Sequence, residues 1–144
     1  MMQQLILTIV LLFSSVVVVK AQENNKNLEG KTITVMVVNA LNDKGKVTFA
    51  IFNKEDFRKK PLFAKSAAIE SGKSKVIFSN IPKGEYAIIC YHDENSNSKL
   101  DFYENGMPKE SYGTSNNVIL MGPPNFESSK FEVLNEDLNL EIKF

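Results

Sequence analysis

The chain has 144 residues, with 17 basic and 17 acidic side chains, one cysteine and one histidine. That charge balance gives no electrostatic footing for nucleic acid or an anionic membrane surface. A lone Cys90 excludes an intramolecular disulfide, and His92 without a second histidine or a cysteine partner excludes a zinc site. What remains is a neutral chain of single-domain size, long enough to bury its own core.

In chain order, Met1–Gln4 leads into an apolar run from Leu5 to Val19, closed by Val19-Lys20-Ala21 and followed by polar Gln22-Glu23-Asn24-Asn25. The run falls short of the roughly 20 residues a membrane-spanning helix needs, and its small-residue ending suits signal peptidase. Residues 1–21 therefore read as a secretory signal peptide, although its first residues carry no Lys or Arg. Residues 22–30 read as a flexible leader, and 31–144 as one domain. The expected product is exported, periplasmic or extracellular, with no membrane span in its mature form.

Thr32–Val38 alternates Ile33, Val35 and Val37 on one side, and Lys46–Phe52 alternates Val47, Phe49 and Ile51. Both patterns predict strands, and the turn chemistry of Asn42-Asp43-Lys44-Gly45 predicts that they pair as a hairpin. Asn53 with Asp56 three places on predicts a capped helical turn ahead of Pro61. Further strands are expected at Phe63–Glu70, at Ser74–Phe78 after the Ser71-Gly72-Lys73 turn, and at Glu85–Tyr91. The last of these opens the longest apolar run after the signal segment, it contains Cys90, and it suits the middle of a sheet.

From His92 to Phe126 the pattern is irregular, apart from a short strand expected around Asn117–Leu120. Tyr103, Met107, Tyr112, Phe126 and the stiff Gly122-Pro123-Pro124 argue that this long loop is ordered. Ser129–Val133 and Asp137–Phe144 complete the set, the latter with Leu138, Leu140, Ile142 and Phe144 on one face. About seven short strands and no long helix predict an all-β fold: an antiparallel β-sandwich, immunoglobulin-like or transthyretin-like.

The sharpest functional signal is the stretch from Asp93 to Glu104. Against the EF-hand loop rule, Asp93 stands first, Asn95 third and Asn97 fifth. The Lys99 carbonyl then stands seventh, Asp101 ninth and Glu104 twelfth. Every ligand position carries an oxygen, so the stretch predicts a Ca²⁺ loop. Ser98 holds the sixth position, where the rule has Gly, so a residue with a Cβ must take a left-handed conformation there. Glu110 can replace Glu104 if Gly106 and Pro108 turn the chain back. The bland alternative is a polar turn with no ion, since Asp and Asn favour turns on their own account.

A family resemblance rests on Gly84-Glu85-Tyr86-Ala87, His92–Asp101, Gly106-Met107-Pro108-Lys109-Glu110, Tyr112–Asn117 and Gly122-Pro123-Pro124-Asn125-Phe126. These blocks resemble the motif series of the bacterial domain of unknown function 2141, over about Ile33 to Phe144, with Ser98 where that family often shows Gly. The resemblance implies an exported β-sandwich whose biochemical role is open.

Three function classes follow. The first is a non-catalytic exported binding module, in which the calcium-ordered loop presents Tyr103, Tyr112 and Phe126 to a protein or glycan partner, the chain itself being a monomer. The second is a hydrolase-type enzyme using His92, Asp93 and Glu104. It is weakened because carboxylates gathered in one segment lack the second shell that tunes catalytic groups. The third is a purely structural envelope protein with no ligand.

Overall fold

The computed structural model describes residues 30–119 and 121–144. The segment read as an export signal, and the leader up to residue 29, lie outside them. Eight strands form among the described residues. They are β1 (Lys31–Val37), β2 (Lys46–Phe52), β3 (Phe63–Ala67), β4 (Ser74–Ile81), β5 (Gly84–Asp93), β6 (Tyr112–Thr114), β7 (Lys130–Val133) and β8 (Leu138–Ile142). A four-residue helix, α1 (Phe126–Ser129), precedes β7. The strands make a smaller sheet in the order β4-β1-β8 and a larger one in the order β3-β2-β5-β6, with β7 also paired to β5.

Period-two alternation decides what each sheet buries. Ile33, Val35 and Val37 of β1 and Val47, Phe49 and Ile51 of β2 are fully buried. They share one core with Val76, Phe78 and Ile81 of β4, Ile88 and Cys90 of β5, and Ile142 of β8. Each such side chain contributes about 1.5–3 kcal/mol by leaving water. The expected all-β sandwich is what forms, with every strand pair antiparallel except β1 with β8.

Three sequence expectations are corrected. β1 and β2 do not form a hairpin: β1 pairs with β4 and β8, and β2 with β3 and β5. Each strand has a fully apolar inner face, and the two faces are buried together across the core instead of side by side. The turn chemistry survives locally, with Lys44 N–H donating to Asn42 Oδ1 at 2.9 Å, inside a connection between sheets.

The strand expected at Asn117–Leu120 is also absent, Leu120 itself lying outside the described residues. Asn117 is left-handed, at φ 53°. Its amide clasps the end of β8, accepting from Lys143 N–H at 2.7 Å and donating to the Glu141 carbonyl at 2.8 Å. The short strand of this region is β6, where Tyr112–Thr114 pairs with Ile89–Tyr91. Finally, β7 begins one residue later than expected, because α1, capped by Asn125 Oδ1 accepting from Ser128 N–H at 2.9 Å, takes up Ser129.

The Asn53 cap does form, accepting from Asp56 N–H at 2.9 Å, but closes a turn and not a helix. No helix among the described residues is long and apolar enough to cross a membrane. Cys90 faces the core with no exposure. Burial pushes its thiol far above the ordinary range, against a weaker opposing contact with the Gly113 carbonyl. A thiol reagent is therefore expected to leave the native protein unlabelled over hours and to modify Cys90 fully in denaturant. Stoichiometric native labelling within minutes would contradict the burial.

Candidate metal centre

β5 ends at Asp93, which pairs with Lys46 at the start of β2. Strand alternation turns His92 and Asp93 to opposite faces. The His92 ring is buried, stacks on Phe144 at 6.4 Å, and has Nε2 2.8 Å from the Lys44 carbonyl, to which it must donate. Its Nδ1 has no partner. The Asp93 carboxylate, also unexposed, turns into the loop that follows. Its Oδ1 accepts from Asn97 N–H at 2.9 Å and its Oδ2 from Ser98 N–H at 2.8 Å. Lys46 Nζ lies 3.6 Å from Oδ2 and donates to Ser98 Oγ at 2.9 Å. A buried charge needs both hydrogen bonds and a counter-charge, and Asp93 has both.

Beyond Asp93 the chain coils through successive side-chain-closed turns. Asn95 Oδ1 accepts from Asn97 N–H at 3.0 Å, and Asn97 Oδ1 from Lys99 N–H at 2.8 Å. Ser96 and Ser98 are left-handed, at φ 58° and 64°. The left-handed turn expected of Ser98 is thus present despite its Cβ. A non-glycine residue in this region is uncommon, and here the two hydrogen bonds to Asp93 hold it.

The loop closes on Asp101. Its Oδ2 accepts from Asn95 Nδ2 at 2.7 Å and from Asn97 Nδ2 at 2.9 Å. Glu110 clamps the two ends of the loop: Oε1 accepts from Glu94 N–H and Oε2 from Asp101 N–H, both at 3.1 Å. Between Asp101 and Glu110 a small hairpin folds back, with Lys109 N–H on the Asp101 carbonyl at 2.8 Å and Tyr103 N–H on the Met107 carbonyl at 2.8 Å. Gly106, at φ 80°, makes its turn.

Five of the six expected ligand residues, Asp93, Asn95, Asn97, Lys99 and Asp101, are therefore brought into one hydrogen-bonded coil. The sixth, Glu104, is not: it is exposed on the hairpin and lines a shallow recess with Phe102, Tyr103 and Lys109. The Gly106 turn carries Glu104 outward and returns Glu110, the substitute carboxylate, to the loop.

The field of the three inner carboxylates is felt at Tyr91, on the same face of β5 as Asp93. Burial raises the Tyr91 phenol above its ordinary value, its bond to Thr48 opposes this, and the charges of Asp93, Glu110 and Asp101 raise it further. Among the described residues no three His, Cys, Asp or Glu side chains converge as a ready metal set. An ion here would need amide and carbonyl oxygens as well. Of the aromatics expected to be displayed, Tyr103 is 56% exposed with Lys109 Nζ 5.4 Å above its ring. Tyr112 is half-buried, and Phe126 is buried edge-on against Phe57. Lys46 had no local signal as part of the site, because only the β2–β5 register brings it to Asp93.

Residues 35–141 match the family model described as an uncharacterized protein conserved in bacteria, DUF2141. The chain belongs to the DUF2141 family. No curated protein and no solved structure matches it. The family match in this DUF2141 chain starts inside β1 and ends inside β8, so it takes in both sheets and the whole Asp93–Glu110 loop. A fold of this kind does not assign chemistry, so function must be argued from the site.

Proposed function

We propose that this DUF2141 chain is an exported, non-catalytic module whose Asp93–Glu110 loop binds calcium and, so ordered, presents a surface to a protein or glycan partner. The observation that carries this is the coil itself: Asp93, Asn95, Asn97 and Asp101 are wound around one another with Ser98 left-handed at the sixth position. Asp101 Oδ2 is met by two amide N–H groups. In the proposed bound form the ion takes their place, and the Asn95 and Asn97 amides turn their oxygens inward. The ligands are then Asp93, Asn95, Asn97, Asp101, the Lys99 carbonyl and Glu110.

Three carboxylates diluted by neutral amides suit the weak end of calcium loops, a Kd of roughly 10⁻⁴–10⁻³ M, as in extracellular modules. Export is supported by the Leu5–Val19 run and its Val19-Lys20-Ala21 ending. The hydrolase alternative lacks such support, since the His92 ring is buried on the Lys44 carbonyl while Glu104 faces solvent.

Calorimetric titration of calcium tests the ligand set. Glu110→Gln is expected to weaken binding about tenfold or more, and Glu104→Gln to change it less than about twofold. The reverse ranking would return Glu104 to the site, and no binding heat or competition by wild type would remove the site.

A further inference from the structure

At the opposite end of the larger sheet, where Phe52 pairs with Ala87, the β2–β3 connection and α1 enclose a second feature. The connection is a tight turn: Lys59 and Lys60 N–H both donate to the Asp56 carbonyl, at 2.9 and 3.2 Å. It drives Phe57 between Phe52 and Phe126, edge-on to each with ring centroids 5.7 Å apart. Beside these rings lies an open recess of about 420 Å³, with Phe57, Pro124 and Phe126 as apolar wall and Lys54, Arg58 and Lys59 as cations. That volume falls in the range that holds a small molecule.

The charges around it are unequally matched. Glu127 is held by Lys54 at 2.6 Å and Lys130 at 3.2 Å, and these two ammoniums lower its carboxyl below the usual range. Lys59 Nζ donates to a neutral partner, the Glu55 carbonyl, at 3.1 Å. Arg58 has no carboxylate within ion-pair distance among the described residues. It is also held at φ 61°, an uncommon conformation for a long side chain. Three cations against Glu55 and Glu127 leave the lining one positive charge in excess.

We propose that this recess binds a small organic monoanion, its carboxylate paired with the Arg58 guanidinium and its flat apolar body lying on the half-buried Phe57 and Pro124, with Phe126 buried behind Phe57. Guanidinium matches a carboxylate with two parallel hydrogen bonds, and the aromatic wall gives the body its contact area. One excess charge fits a monoanion better than a phosphate dianion.

The test uses amide chemical shifts of the mature protein titrated with phenylacetate, phenylacetamide and inorganic phosphate. Phenylacetate is expected to shift residues 53–59 and 124–127 saturably, with the neutral amide and phosphate each at least tenfold weaker. Arg58→Gln should weaken phenylacetate at least tenfold. Arg58→Gly, which relieves the left-handed backbone, should melt no lower than wild type and still lose binding, so that loss of fold is not mistaken for loss of site. No saturable shift, equal binding of the amide or of phosphate, or full affinity in Arg58→Gly would each overturn the proposal. None of these outcomes involves the calcium loop.

Discussion

Asp93→Ala is expected to destabilise the protein by about 3 kcal/mol even without any added ion, since it removes two charge-assisted hydrogen bonds, each worth roughly 1.5–3 kcal/mol, and some of that is recovered from water. The Asn97 and Ser98 N–H groups lose their acceptor, Lys46 loses its counter-charge, and the left-handed Ser98 loses what holds it. For a domain of this size the melting temperature should fall by about 10 °C. Glu94→Ala is the control. Glu94 is exposed and its carboxylate only accepts from Asn42 Nδ2 at 3.1 Å, so its loss should stay within about 0.5 kcal/mol. Denaturant melts of both variants in chelator check this, and equal stability would mean that the Asp93 contacts do not organise the loop.

Gly45→Ala should be at least as damaging, for a steric reason. Gly45 sits at φ +67°, and a Cβ there would collide with the Asp93 carbonyl oxygen and lie 2.7 Å from Glu94 Cα. Neither backbone atom can move without breaking the Lys46–Asp93 register that places the site. The left-handed conformation alone costs an alanine roughly 1–2 kcal/mol, and the forced shift should bring the total above about 3 kcal/mol and abolish the proposed calcium binding. Gly106→Ala separates the two terms. At φ +80° with nothing within 4 Å of the added carbon, it meets only the conformational cost, roughly 1–2 kcal/mol. Equal melting temperatures for the two variants would show that the contact of Gly45 with the Asp93 backbone is not tight.

Much of the fold was legible because period two is a local property. Ile33, Val35, Val37 and Val47, Phe49, Ile51 declare their buried faces without reference to any partner, and Cys90 is buried as its apolar neighbours imply. Partner choice is not local. The same alternation serves a hairpin or two strands facing across a core, so the separation of β1 from β2 and the parallel pairing of β8 with β1 could not be read from it. Val118 and Ile119 look like strand residues by type, yet they are 40% and 89% exposed, because Asn117 turns the chain and ties it to β8. In the loop, the involvement of Asp93, Asn95, Asn97, Ser98 and Asp101 in one hydrogen-bonded coil was legible from spacing alone. That Glu110 and not Glu104 bonds to the loop depends on where the hairpin turns at Gly106, and Lys46 arrives from another strand.

The central claim is that the native loop holds calcium and the unfolded chain does not, and the direct measurement is the melting temperature of the protein in calcium, in magnesium and in chelator. An ion bound only by the folded state adds RT ln(1 + [L]/Kd), about 2.7 kcal/mol at a hundredfold excess over Kd, which corresponds to roughly 10 °C here. Magnesium should shift the melt far less, because it requires a tighter octahedral set and sheds its waters reluctantly. A calcium-specific rise that disappears in Asp93→Ala and persists in Glu94→Ala is the expected result. Identical wild-type melting in 10 mM calcium and in chelator would contradict the claim and leave Asp93–Glu110 as a hydrogen-bonded polar turn without an ion.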